Sequence, residues 1–362
     1  LLMLMEVTRT PSVNLGSRWL SRDSVTLRLQ AAIYFKNSVT KRWCLNCNET
    51  DPDNSAIVVA VPINPEEKAM IRGNIIQLLT SSEDAIARQY VESGSVVLPS
   101  ALGLVQIGLE EYYIKWPTMM KELVACSSSN DVAIINRVLA IIEGICKVLE
   151  TVPDNDIVIL ASSPETYIGD VFLHFIDDLN TFLASEWQQL SSLLPQCQSA
   201  AFARLSTVDD YDRLELVLNC LLLIANTRRY WIVVDVVRNI NTEEEEENAS
   251  YVDLDLWMTN FIRVLQYNNE MMRSGFGAHS RIGDTPTATV LEDLKSSVIA
   301  FCSICVNRHT NLFMPYFETF SSTIWSTLGD IGAANQSLKY QDVAVASLHF
   351  FSSVATRVRS DA

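Results

Sequence analysis

Apolar positions recur along most of this chain at helical spacing. Val25, Leu29, Ala32 and Ile33 fall at i, i+4, i+7 and i+8, one helical face, and Phe35 and Val39 add an adjacent one. A helix wetted on so narrow a strip is expected to lie between neighbours. Asp23 and Ser24 are its expected caps, and Lys41 and Arg42 stand where cations favour a helix C-terminus. A second helix is expected over Pro65 to Leu79. Pro65 suits its first position, Glu66 and Glu67 its first turn, and Ile71, Ile75, Leu78 and Leu79 its buried stripe.

The same rhythm continues. Trp116-Pro117 is expected to open a helix that includes Lys121 and Glu122 and runs to Cys126. Asp131 to Leu149 carries Ile135, Val138, Ile142, Ile145 and Leu149 on one face. Further stripes are Leu254, Trp257, Phe261 and Leu265, then Leu291, Leu294, Val298, Phe301, Cys302 and Cys305. Phe313, Phe317, Phe320, Ile324 and Leu328 follow, and the last stripe is Ala344, Leu348, Phe351 and Ala355. Helices of similar length, each with one apolar face, bury those faces when stacked as antiparallel pairs. The expected fold is therefore all-α, a superhelix of HEAT-type repeats forming a curved arch. An irregular helical bundle is the other arrangement this pattern allows.

Three stretches break the rhythm. Cys44 to Asn64 reads as a long loop, and its AIVVAVP run has strand character. Tyr90 to Ser100 interrupts a helical pattern. Thr242 to Ser250 contains five consecutive glutamates, Glu243 to Glu247, whose mutual repulsion makes a solvated loop or a receiver for a basic partner.

Composition narrows the function. At 362 residues the chain exceeds one ordinary core, and 48% apolar against 19% charged residues is too apolar for general disorder. A net charge of −16 disfavours nucleic acid, whose binding needs lysine and arginine against phosphate. It suits basic protein partners. No apolar run approaches the roughly 18 residues that span a bilayer, and Cys220 to Ala225 reads as core, so no membrane insertion is expected.

No catalytic or cofactor chemistry is expected. The Cys44/Cys47 and Cys302/Cys305 pairs have a zinc-like spacing, but the second pair lies on an apolar stripe and the first in a distant loop, so no metal is assigned. His174 and His349 sit among apolar helical residues as core or rim groups. His309 follows Cys305 by four but has no further ligands near it in sequence. SGFGAH around Gly275 lacks the lysine of a phosphate loop, and the neighbours Asp177-Asp178 and Asp209-Asp210 point apart on a helix.

Specific words add to the pattern. They are AAIYFKNSVTKRW (Ala31 to Trp43, with Phe35, Lys36, Asn37 and Trp43), PEEKAMIRGNIIQLLTSSEDAIARQ (Pro65 to Gln89) and EEYYIKWPTMMKELV (Glu110 to Val124, with Trp116-Pro117). In this order they resemble the N-terminal domain of the importin-β superfamily of nuclear transport receptors over most of residues 1–125. LDLWMTNFIRVLQYNNEMM, MPYFETFSSTIWSTL and LKYQDVAVASLHFFSSVATR resemble the branch of that superfamily that exports importin-α, over 126–362 with the acidic loop at 242–250. Tyr112 and Tyr113 stand where the superfamily usually carries a proline before its Trp-Pro.

The resemblance implies a shuttling receptor that binds Ran in its GTP form and carries importin-α from nucleus to cytoplasm. Nucleoporins are a further implied partner class. It also implies a whole receptor roughly three times longer, of which this chain would be the N-terminal arch. Superfamily members meet Ran through second helices of early repeats. That makes Glu66, Lys68, Arg72, Gln77, Lys121 and Glu122 candidate contacts, or else ordinary solvated helix faces. Phe35, Lys36, Asn37, Trp43, Trp116 and Pro117 would be structural, with Asn37 bonding a neighbouring turn. The resemblance leaves open an importin for basic cargo, or a HEAT scaffold without a transport role.

Overall fold

The structure, a computed structural model, describes residues 20–43, 62–81, 118–127, 131–147, 176–201, 207–240, 254–267, 286–308, 310–333 and 340–360. Among them all regular structure is helical: α1 (Leu20–Arg42), α2 (Pro65–Ser81), α3 (Met119–Ser127), α4 (Val132–Cys146), α5 (Ile176–Ala201), α6 (Val208–Ile240), α7 (Leu254–Tyr267), α8 (Pro286–Arg308), α9 (Thr310–Phe313), a 3-10 turn (Met314–Tyr316), α10 (Phe317–Ala333) and α11 (Gln341–Ser360). The chain divides into two compact units. One comprises Leu1–Val148 with Ser163–Val171, the other Leu149–Ser162 with Phe172–Ala362. Most of the Cys44–Asn64 stretch, all of Tyr90–Ser100 and all of Thr242–Ser250 lie outside the described residues.

In the first unit, α1 buries Arg28, Ala31, Ala32, Phe35, Val39 and Trp43. Of the expected stripe Ala32 is fully buried, Leu29 is half-buried and Ile33 is 38% exposed, while Phe35 and Val39 of the expected adjacent face are fully buried. Asp23 and Ser24 lie inside this helix rather than capping it. Pro65 opens α2 with Glu66 and Glu67 in the first turn, as its sequence indicates. The cap itself is Asn64, whose side-chain oxygen accepts from the Glu66 amide at 2.9 Å. Ile71 and Ile75 are buried, and α2 touches both α3 and α4. Asp131 caps α4 by accepting from the Ala133 amide at 2.9 Å, and Ile135, Val138, Ile142 and Ile145 are buried.

The second unit shows how the later helices stack. Lys295 on α8 donates to the Leu265 carbonyl of α7, and Phe301 of α8 meets Phe261 of α7 at 5.0 Å between ring centres. The pairing runs in opposite senses along the two helices, so they form an antiparallel hairpin. Between α8 and α11, Glu292 accepts from the Asp342 amide and Asn307 bonds Ser353. Both pairs advance in the same sense, so α8 and α11 run parallel. An up-down bundle would alternate directions between neighbours. Parallel second helices are what successive hairpins in an array produce.

Two layers result. One holds the first helices, with Trp187 of α5 against Trp257 and Phe261 of α7 at 5.8 and 5.3 Å, and α7 packed on α10. The other holds the second helices, with α6 on α8 and α8 on α11. This is a HEAT-type helical array. Its core follows the expected stripes closely for α7 (Trp257, Phe261, Leu265) and α8 (Leu291 to Cys305), all buried. In the α9–α10 segment Phe313, Phe320 and Ile324 are buried, while Phe317 and Leu328 are half-buried. Cys220, Leu221, Ile224 and Ala225 are core, as read. The stripe of α11 is a correction. Its buried face is Val343, Ser347 and Phe350, whereas Leu348 is 62% exposed and Ala355 is exposed. A serine in the middle of the true face hid it, because the Ser347 hydroxyl satisfies itself on the Val343 carbonyl at 2.7 Å.

Candidate interaction surfaces

The C-terminus of α1 meets the first turn of α2 through one side chain. Trp43 is buried, with its amide donating to the Val39 carbonyl at 2.9 Å to close the last turn of α1. Lys68 lies with its ammonium 5.1 Å from the centre of the Trp43 ring and donates to the Trp43 carbonyl. One cation thus joins a helix-end carbonyl and an aromatic face. The Asn64 cap fixes where α2 starts, and so where Lys68 stands.

The six candidate contacts divide by exposure. Glu66, Gln77, Lys121 and Glu122 are exposed, while Lys68 and Arg72 are half-buried. The Thr118 hydroxyl donates to Glu122 at 2.6 Å. Because α2 touches α3, both groups belong to neighbouring helices of one unit. Phe35 is fully buried, Lys36 is half-buried and Asn37 is exposed. Trp116 and Pro117 lie outside the described residues, as do His174, His279, His309, Gly275 and the Cys44/Cys47 pair.

In the second unit a groove of about 640 Å³ opens along the second-helix layer. Asn226 and Arg229 of α6 form one wall, Asp293 and Ser297 of α8 the floor, and Asp342 and His349 of α11 the other wall. Ser297 donates to Asn226 at 2.7 Å across the α6–α8 seam. Partial burial, then the Asp342 charge, pushes the Asp293 carboxyl upward, and burial does the same for Glu292 beside it. His349 is exposed and lines the groove, which is the rim rather than the core position expected from its apolar neighbours. Sequence reasoning missed this groove. Its polar residues come from three helices, and on each helix alone they read as an ordinary wet face.

A smaller cleft of about 340 Å³ lies among Trp187, Pro195, Leu218, Val264, Leu291 and Arg263. The Cys302 and Cys305 thiols face the core, as their stripe indicated. Burial raises both, Cys305 to about 12, so neither is a ready thiolate. No group of three or more metal-ligating side chains occurs among the described residues.

Two family sequence patterns fall on the two units. The pattern of the Importin-beta N-terminal domain matches residues 12–81, and that of Cse1 matches residues 178–361, just over half of the chain. The chain belongs to the Cse1 family. Its relatives in that family include Exportin-2 of Oreochromis niloticus, 24% identical over 337 residues that make up 93% of this chain and 28% of the relative. Exportin-2 of Danio rerio is 23% identical over 331 residues, 91% of this chain and 28% of the relative. Human Exportin-2 is 22% identical over 337 residues, with the same 93% and 28% coverage. This Cse1-family chain therefore spans under a third of the length of the curated relatives it matches. No solved structure shows significant similarity to it. The importin-β superfamily resemblance of its sequence words is borne out, as is the all-α array.

Proposed function

We propose that this chain is the Ran-engaging part of an exportin-2-type nuclear transport receptor. In this reading it binds Ran in its GTP form, takes importin-α as cargo, and shuttles between nucleus and cytoplasm past nucleoporins. It has no catalytic role of its own. GTP hydrolysis on Ran releases the cargo.

One observation carries the reading. An Importin-beta N-terminal stretch and a Cse1 stretch occur in that order on one chain, which aligns with Exportin-2 over 93% of its length. The array geometry supports it, since stacked hairpins present continuous surfaces to other polypeptides. Glu66, Gln77, Lys121 and Glu122, exposed on touching helices of the first unit, are the contacts to test first. The Cse1 match favours export over the importin alternative.

The test is retention of the 362-residue protein on immobilised Ran, loaded with a non-hydrolysable GTP analogue or with GDP, with and without importin-α. The proposal expects retention by the GTP form alone, and importin-α captured better when Ran-GTP is present. Equal retention by both forms, or by neither, would sink it. Cargo released by Ran-GTP would move the protein to the import class.

A further inference from the structure

The smaller cleft of the second unit lies where two first-layer helices part. α5 and α7 meet through Trp187, Trp257 and Phe261, and toward their C-terminal ends they leave about 340 Å³ open between them. Leu218 of α6 and Leu291 and Leu294 of α8 close the bottom, so four successive helices line the space. Trp187, Leu194, Leu218, Val264, Leu291 and Leu294 are all buried, which makes the interior deep and apolar. Small-molecule sites have this character, with volumes of roughly 300–1,000 Å³, apolar walls and a few fixed polar groups.

Two polar groups set the chemistry of the occupant. Pro195 lies inside α5. A proline has no N–H, so the Ser191 carbonyl four residues back loses its helical donor. The nearby hydroxyls do not replace it: Ser192 donates to the Gln189 carbonyl at 2.6 Å and Ser199 to the Pro195 carbonyl at 2.8 Å. Ser191 and Pro195 both line the cleft, so an acceptor stands in its wall. The second group is Arg263 of α7, exposed at the mouth and the one charged side chain among the described residues lining the cleft. In a chain with 43 acidic and 27 basic residues, a cleft with a guanidinium and no carboxylate runs against the average. It selects an anion over a cation. An extended peptide pairs through open backbone edges, and helical walls offer none beyond the single Ser191 carbonyl, so the occupant is compact.

We infer that the α5–α7 cleft binds a small aromatic carboxylate whose ring carries one hydrogen-bond donor. The ring lies against Trp187 and the leucines, the donor bonds the Ser191 carbonyl, and the carboxylate meets the Arg263 guanidinium.

Ligand-observed NMR titration of the full 362-residue protein with indole-3-acetate tests this, because that probe combines a ring, an N–H and a carboxylate. Expected is saturable binding with a Kd on the order of 1 mM, the value that about 13 heavy atoms reach at ordinary ligand efficiency. Arg263→Ala should weaken indole-3-acetate about fivefold and leave the neutral indole-3-acetamide as it was. Pro195→Ala gives the Ser191 carbonyl back its helical donor. It should weaken indole-3-acetate about threefold and leave 1-methylindole-3-acetate, which has no N–H, unchanged. Both positions are exposed, so helical circular dichroism should hold in each variant. Absence of saturable binding up to about 10 mM overturns the inference. So does binding that neither variant alters, or tryptamine, the cationic analogue, bound as tightly as the acid. A neutral peptide, N-acetyl-phenylalanine amide, bound more tightly than indole-3-acetate would give the cleft to a partner's side chain and likewise overturn the small-molecule reading.

Discussion

Lys68 illustrates how a residue's role depends on what its head group touches. On the sequence it is one of several charges off the Ile71–Ile75 stripe. In the structure its ammonium is held by the Trp43 carbonyl and ring. Lys68→Met keeps the stem and removes both interactions, so it should cost about 1–2 kcal/mol. Urea unfolding followed by tryptophan fluorescence reads this as a lower midpoint with an unchanged slope. If Lys68→Met leaves the midpoint in place while weakening Ran-GTP retention, the residue faces the partner instead. Glu66→Ala and Lys121→Ala, on exposed positions, should spare stability and lower retention by no more than about fivefold each, the range of exposed charge contacts. The Trp43 side of this arrangement was legible, since a tryptophan after a basic pair marks the end of α1. The Lys68 side was not, because the two residues are 25 positions apart and no periodicity connects them.

Helices with large apolar residues on one face were legible, and helices whose true face includes small polar residues were not. The stripes of α7 and α8 transferred intact from sequence to core. In α11 the apolar letters pointed to Leu348 and Phe351, but packing chose the Val343–Ser347–Phe350 face. The sequence therefore shows both faces of α11, and only tertiary contact says which is covered. Helix starts follow the same logic. Pro65 was readable, whereas the Asn64 cap becomes evident only with the Glu66 amide on it. At α6, Thr207 and Asp210 form a reciprocal cap: the Thr207 amide donates to Asp210 at 2.8 Å, and the Asp210 amide donates back to the Thr207 hydroxyl at 3.3 Å. Bonds from the Thr207 amide and hydroxyl hold the Asp210 carboxyl below its ordinary value. A depressed carboxylate contributes stability above its unfolded pKa and loses it as pH falls through the folded one. Amide exchange in the first turn of α6 should therefore accelerate on acidification below about pH 4, and Asp210→Asn should remove that dependence. For α4, Asp131→Ala should cost about 1 kcal/mol by removing the bond to the Ala133 amide, read as faster exchange confined to its first turn.

For the molecule as a whole, four buried groups described in the second unit, Lys295, Cys302, Cys305 and Tyr340, shape the alkaline side of the stability curve. Lys295 is fully buried between α7 and α10, its ammonium bonded to Leu265 at 3.2 Å, and burial brings it down to about 8 despite the favourable charge of Asp330. Between that value and its unfolded value the unfolded chain binds a proton that the native one does not, so stability rises with pH, by at most about 1.4 kcal/mol per unit. Cys302 and Cys305 act in the opposite sense. Burial raises both, Cys305 to about 12, so above the ordinary thiol range the unfolded chain loses protons that the native one keeps. Tyr340, raised to about 12 by burial and then by Glu292, adds to the fall at still higher pH. The signs combine into a stability maximum on the order of pH 8–9, above the usual neutral range. Equilibrium urea unfolding at pH 7, 8, 9 and 10 measures it. Lys295→Met, close in volume, should flatten the rise between pH 8 and 9 and leave the fall above it. Cys302→Ala with Cys305→Ala should weaken the fall and leave the rise. A curve that declines steadily from pH 7 in the parent protein would show that the Lys295 ammonium is not sealed from water where α7, α8 and α10 meet, and the tight hairpin junction would have to open there.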